Sequence, residues 1–396
     1  MTINPSTKRS RFSRRAKTSP ATEQLVDLAT RLAQSTCRLE DQFWESRLAE
    51  RIAQLLRGED EAAITAALDQ LYAVETRAYD GLIDLIEAEA EATRVDSGQA
   101  MDLVLIAIPV LAWSRYPIPS ARIAAPHLAD LRVQIQAHLL AADARLGLAD
   151  YFFSPDQLPQ SYVESAQLLQ KLVSPALHGR DLKVDADRLP ETVNFLSDIR
   201  YLIGAVAVPR DAALFRWQEG DTTRESAFAQ WREQANEVVR RLLPACATEL
   251  VPPGAFHAAV READRASRPY SLHAAVAFLQ TVLGVQASDL RAVIGAYYDQ
   301  HLEEYRVGLS LNDSGDVVHG IVWPILDNED EGSETVAQIE TVLREAGVGD
   351  VRVLDHRLPL EFCDDCGAPL YPNADGEPTH AELPEDSESG LPPHLH

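Results

Sequence analysis

The chain has 396 residues, a formal charge of −25 and 46% hydrophobic residues, enough to bury two or three separate cores without covalent staples. Its four cysteines, Cys37, Cys246, Cys363 and Cys366, are too few and too unevenly spaced for a secreted disulfide framework, so reduced thiols and a cytoplasmic location are expected. The acidic balance disfavours nucleic acid and anionic lipid; only the opening stretch, with Lys8, Arg9, Arg11, Arg14, Arg15 and Lys17, has the charge to meet a polyanion.

No apolar h-region follows that basic stretch, so it is not a secretory signal, and residues 1–18 are expected to form a disordered basic tail. Ser19-Pro20 is an N-cap followed by a proline suited to the first helical position, and Leu25, Leu28 and Leu32 recur at helical spacing behind it. Three further helices are predicted from the stripes Trp44, Leu48, Ile52 and Leu55, then Ile64, Ala67, Leu68 and Leu71, then Tyr79, Leu82, Ile83 and Ile86. Residues 19–97 therefore read as a helical domain of antiparallel neighbours.

An α+β domain is expected over 98–302. The run Met101 to Trp113 contains Asp102 and Pro109 and is well short of the roughly 20 residues a membrane helix needs, so it reads as a buried strand and no membrane span is expected. Leu128, Leu131, Ile135 and Leu139 fit a helix, while Val133, Ile135 and Ala137 alternate as a strand would, and the pattern does not separate the two. Strands are predicted at Leu146 to Phe153, Ile199 to Val208, Ala213 to Trp217 and Leu290 to Tyr298. Helices are predicted at Tyr162 to Val173, through Trp231, Val238 and Leu242, and at Leu272 to Leu283.

Residues 303–360 form the clearest unit. Tyr305 to Leu311 and Val317 to Leu326 flank the hairpin chemistry of Asn312 to Asp316; a helix through Val336, Ile339, Val342 and Leu343 and a strand Val351 to Leu354 complete a ββαβ order. Similar orders near 199–251 and 146–184 suggest repeated ββαβ units. A CxxC knuckle at 361–381 and a disordered acidic tail at 382–396 close the chain.

No GxGxxG, Walker A, GxSxG or HExxH pattern occurs. Glu87, Glu89 and Glu91 read as a solvated helix face, Asp185 with Asp187 as turn chemistry, and Asp313 with Asp316 as part of a hairpin. His301 and Glu304 have the makings of an acid/base pair, but a connection between strands explains them better. Trp113 to Pro119 brings aromatic and Arg side chains together just after a buried strand, which suits a pocket wall or a proline-shaped turn equally.

The most specific local pattern is Phe362-Cys363-Asp364-Asp365-Cys366-Gly367, in which two thiols two residues apart precede a glycine, as in half of a zinc ribbon. A dithiol redox site and an inert reduced turn are the competing readings; the acidic neighbours and Pro369 argue against the redox one. A closed site needs four ligands. His380 is the third candidate, because Asn373 to Gly376 can turn the chain back. His356 is the candidate fourth, with His394, His396, Cys37 and Cys246 behind it.

The stretches Arg9 to Arg15, Leu39 to Ala49, Val110 to Ser120, Arg200 to Arg210, Glu304 to Leu311 and above all Phe362 to Asn373 resemble a family of uncharacterised bacterial proteins, domain-of-unknown-function family 2863. The resemblance spans nearly the whole chain. It implies a bacterial cytosolic protein and supplies no catalytic residues. The resulting expectation is an α+β protein, an N-terminal helical domain followed by sheet-and-helix units, acting as a non-enzymatic interaction or regulatory protein with a structural zinc knuckle and an unknown protein partner. The alternative is a metal-assisted, hydrolase-like enzyme with its pocket in the α+β body.

Overall fold

The computed structural model describes residues 19–384 other than 73, 194, 327, 328, 330, 331 and 333, and omits the side chain of Ser97. The expected basic tail and residues 385–396 of the expected acidic tail, with His394 and His396, lie outside the described residues, whereas the start of that tail is docked: Leu383 is buried and the Glu382 N–H donates to Val317 O at 2.9 Å.

Four helices open the chain: α1 (Pro20–Ala33), α2 (Arg38–Arg57), α3 (Glu61–Tyr72) and α4 (Thr76–Glu91). The Ser19 hydroxyl accepts the Thr22 N–H at 3.0 Å and starts α1 as the sequence suggests. Leu25, Leu48, Ile52, Ile64, Leu82 and Ile86 fill the common core, which Val163 from a later helix also enters. The helical run stops at Glu91 rather than 97. Ala92–Ser97 is strand β1, folded back on β2 (Gln99–Trp113) through Gly98, whose φ of 82° suits a residue without Cβ.

The body continues with α5 (Ala125–His138), β3 (Arg145–Phe153), α6 (Tyr162–His178), β4 (Ser197–Pro209), the single turn α7 (Arg216–Glu219), α8 (Arg224–Leu242), β5 (Ala247–Leu250), β6 (Gly254–Ala255) and α9 (Phe256–Leu283). The ambiguous run is thus helical: Leu128, Leu131 and Ile135 face inward, and Val133 is 58% exposed. The first sheet has the order β1-β2-β4-β3, with β5 and β6 paired to β2. β2, β3 and β4 are buried on both faces. Ile106, Ile108 and Val110 meet α5 and α8, whereas Leu103, Leu105 and Ala107 meet α6 and the first half of α9.

One expected strand is absent, and so is the closing strand that a ββαβ order near 146–184 requires. Ala213 to Trp217 is a turn leading into α7, because the Gln218 side chain captures the N–H groups of Leu214 and Phe215 at 2.9 Å each and Phe215 stacks on Trp217 at 4.5 Å. Asp181 to Val184 makes a single bridge, Ala149 to Leu182. Neither proposed earlier copy therefore reproduces the ββαβ order of the last unit.

β7 (Leu290–Tyr298), which lies before the expected start of that unit at 303, shares a sheet with its β8 (Leu302–Leu311), β9 (Val317–Pro324) and β10 (Asp350–Pro359), and α10 (Thr335–Glu345) links the last two. The second sheet has the order β10-β7-β8-β9, with β10 parallel to β7 and the other pairs antiparallel. The second half of α9 and α10 cover one face, where Leu272, Phe278, Leu279, Ile339, Leu343, Val307 and Leu309 share a core. α9 is therefore a beam across both sheets, with Pro269 near its middle. The architecture is α+β with a C-terminal cysteine knuckle.

Candidate metal centre

Beyond β10 the Leu360 N–H still reaches Tyr298 O at 2.9 Å, and then the chain lifts off as a tight hairpin bridged between Phe362 and Pro369. Inside it, Cys363 N donates to Ala368 O at 2.7 Å and Gly367 N to Cys363 O at 2.8 Å. Gly367 turns the chain at φ 73°, a left-handed value that favours glycine. The backbone N–H groups of Cys366 and Asp365 and the Cys366 side chain point at the Cys363 sulfur and hold its pKa below the ordinary thiol value.

A second hairpin brings the third donor. β11 (Tyr371–Pro372) pairs with β12 (Pro378–Thr379), and the Asn373 side chain accepts the N–H groups of Asp375 at 3.0 Å and Glu377 at 2.9 Å to shape the turn. His380 follows directly, with Nε2 3.2 Å from the Cys366 sulfur. One ligand atom from each of Cys363, Cys366 and His380 lies within 4.8 Å of the others. Donors on a tetrahedral zinc stand about 3.5 Å apart, so small movements seat an ion. Two thiols and an imidazole are three of the four donors that zinc takes in structural sites. A Glu382 carboxylate oxygen lies 3.3 Å from His380 Nδ1 without making a hydrogen bond to it.

The other candidates stand elsewhere. His356, the expected fourth ligand, is exposed on β10 with Nε2 3.3 Å from Gly376 O, beneath the second hairpin's turn and outside the cluster. Cys37 precedes α2, and Cys246 lies beside Ser114 at the end of the first sheet. Asp185 pairs with Arg188 at 3.0 Å, and Asp316 closes its hairpin through the Ser314 hydroxyl. His301 is exposed in the turn before β8, while Glu304 is buried against Arg306, so the two form no acid/base pair. Trp113, Ser114, Arg115 and Tyr116 do line a cavity of about 270 Å³ with Phe278 and Val282.

Glu87, Glu89 and Glu91 are a correction. Glu87 and Glu91 are one helical turn apart and share a face directed inward. Glu87 is buried and pairs with Arg261, and Glu91 accepts the His257 N–H at 2.9 Å at the start of α9. Glu61 likewise accepts the Val163 N–H at 3.0 Å at the start of α6. The helical front thus caps two helices of the body with carboxylates. Burial lifts Glu91 to about 7 and lowers His257 to about 4. The partners lie far away in sequence, and no local pattern marks them.

Fold and site together define an α+β protein with a C-terminal Cys-Cys-His cluster arranged to hold a metal ion. The chain belongs to the family described as "Protein of unknown function (DUF2863)", whose model matches residues 10–394. No curated protein and no solved structure matches it. Among the described residues, no helix is long and apolar enough to cross a membrane.

Proposed function

We propose that this chain is a non-enzymatic, cytoplasmic interaction or regulatory protein whose C-terminal knuckle holds one structural zinc ion. The convergence of Cys363, Cys366 and His380 within 4.8 Å carries the reading. The ion would bind the CxxC hairpin to the hairpin bearing His380 and hold its tip rigid. That tip presents Phe362 at 42% exposure beside the exposed carboxylates Asp364 and Asp365, a surface suited to a protein partner with a basic rim.

Metal analysis of the purified full-length protein tests the first half: about one zinc per chain is expected, lost in Cys363→Ser and in His380→Ala. The double variant Asp364→Lys, Asp365→Lys tests the second half, because it should keep its zinc and lose its co-purifying partners. Protein purified without chelator yet free of zinc would overturn the reading.

A further inference from the structure

Arg306 lies in the middle of β8 with none of its surface exposed. Its neighbours Tyr305, Val307 and Leu309 face the helices, so Glu304, Arg306 and Gly308 face the opposite side of the sheet, where the knuckle sits. Its Nε donates to a Glu304 carboxylate oxygen at 2.6 Å, and its Nη1 donates to Glu361 O at 2.6 Å and to Leu370 O at 2.8 Å. Those two carbonyls are the neck of the CxxC hairpin. The chain leaves the sheet at Glu361 and returns at Leu370, and Leu370 N closes the neck onto Glu361 O at 3.3 Å. The rings of Tyr297 and Phe362 flank the guanidinium at 4.3 and 4.9 Å.

A fully buried charge is costly, and an apolar side chain of similar length would pack there without that cost. What the guanidinium adds is geometry: with Nε held by Glu304, Nη1 alone reaches the carbonyls on both strands of a hairpin that otherwise carries little apolar surface. The sheet beneath is cut to receive the continuation. A Cβ on Gly308 would lie 2.2 Å from Pro372 O, and one on Gly320 would lie 2.3 Å from the Tyr371 ring. The knuckle is therefore fixed at its neck by Arg306 and at its exit by a glycine seat.

We infer that Arg306 is the positioning residue of the metal centre: it touches no ligand atom, and by clamping the neck it holds Cys363 and Cys366 in the turn before the ion arrives. The inference rests on the zinc reading above. A preorganised turn binds more tightly because the ion does not have to order it.

The test uses full-length protein and zinc titrated against a chromophoric chelator. Arg306→Met should fold and bind one zinc with affinity weaker by about 10-fold or more, as loss of an outer partner of a metal site does. Leu309→Ala, on the helix side of the same strand, should lower the melting temperature while leaving the zinc affinity within about twofold. Unchanged affinity in folded Arg306→Met overturns the inference. Should that variant fail to fold, Arg306→Lys decides by the same criterion, since an ammonium keeps the charge but lacks the planar group whose Nε holds Glu304 while its Nη1 reaches both carbonyls. Wild-type protein that binds no zinc overturns the metal reading and this inference with it.

Discussion

The two sheets are covered by different means. The first lies between α5 with α8 on one face and α6 with the front of α9 on the other, and alternate residues of β2 and β4 feed two apolar cores. Among the described residues the second has helices on one face alone; its other face carries Gly295, Gly308, Gly320 and a buried arginine beneath two short hairpins. A helix layer holds itself in place by burying a long apolar stripe. A hairpin of two-residue strands buries too little for that. Where the cover is small, hydrogen bonds to its neck and a close glycine fit, joined by the proposed metal ion, take over the task that burial performs elsewhere.

The helix-covered faces should be the most sensitive to disruption. Ile339 is fully buried between α10 and the second sheet, so Ile339→Asp places an unpaired carboxylate in that core and should cost more than about 3 kcal/mol. Chemical denaturation followed by circular dichroism should show the second unit unfolded while the first sheet keeps its own transition.

Glycine substitutions sharpen the contrast. In the first sheet a Cβ on Gly147 would lie 2.6 Å from Ala176 N of α6, so Gly147→Ala pushes a whole helix and should lower global stability by about 1 to 3 kcal/mol. Gly320→Ala meets only the Tyr371 ring. It should leave the global transition nearly unchanged and make the chain after Pro359 more sensitive to protease.

The pH response of the junction between the helical front and the body is the smallest expected effect. Glu91 is raised to about 7, so the folded state keeps a proton that the unfolded state loses, and stability declines as pH rises from about 4.5 to 7. His257 is lowered to about 4, so stability declines as pH falls from about 6.5 to 4. Glu87 and Arg261 both act on Glu91, and Arg261 also acts on His257. Across the shared window the two slopes oppose each other and the net dependence is shallow. Glu91→Gln removes one of them, so its stability should rise with pH between about 4 and 6.5 at up to about 1.4 kcal/mol per unit, readable as melting temperature against pH.

Elements whose signal is local were legible in the sequence. Ser19-Pro20 starts a helix, the Asn312 to Asp316 turn joins β8 to β9, and the turn after Asn373 returns His380 to the cysteines. Each depends on residues within about twenty positions of one another. What stayed hidden depends on register and on distant partners. The three glycines under the knuckle come from three strands and line up only once β7, β8 and β9 are paired. Arg306 reads as one polar residue in a strand until its face is known, and Glu87 meets Arg261 across 174 positions. Ala213 to Trp217 was misread for the converse reason: its β-prone residues were outweighed by a side-chain cap from Gln218.

The most direct measurement of the central claim is amide hydrogen exchange on the full-length protein with zinc bound and after chelation. If the second sheet's knuckle face is held by a metal-bound clasp, chelation should raise exchange in residues 361–384 and in the strand β8 beneath them, while β2 and β4 of the first sheet keep their protection. Equal exchange at 361–384 with and without the metal, or loss of protection spread across both sheets, would contradict it.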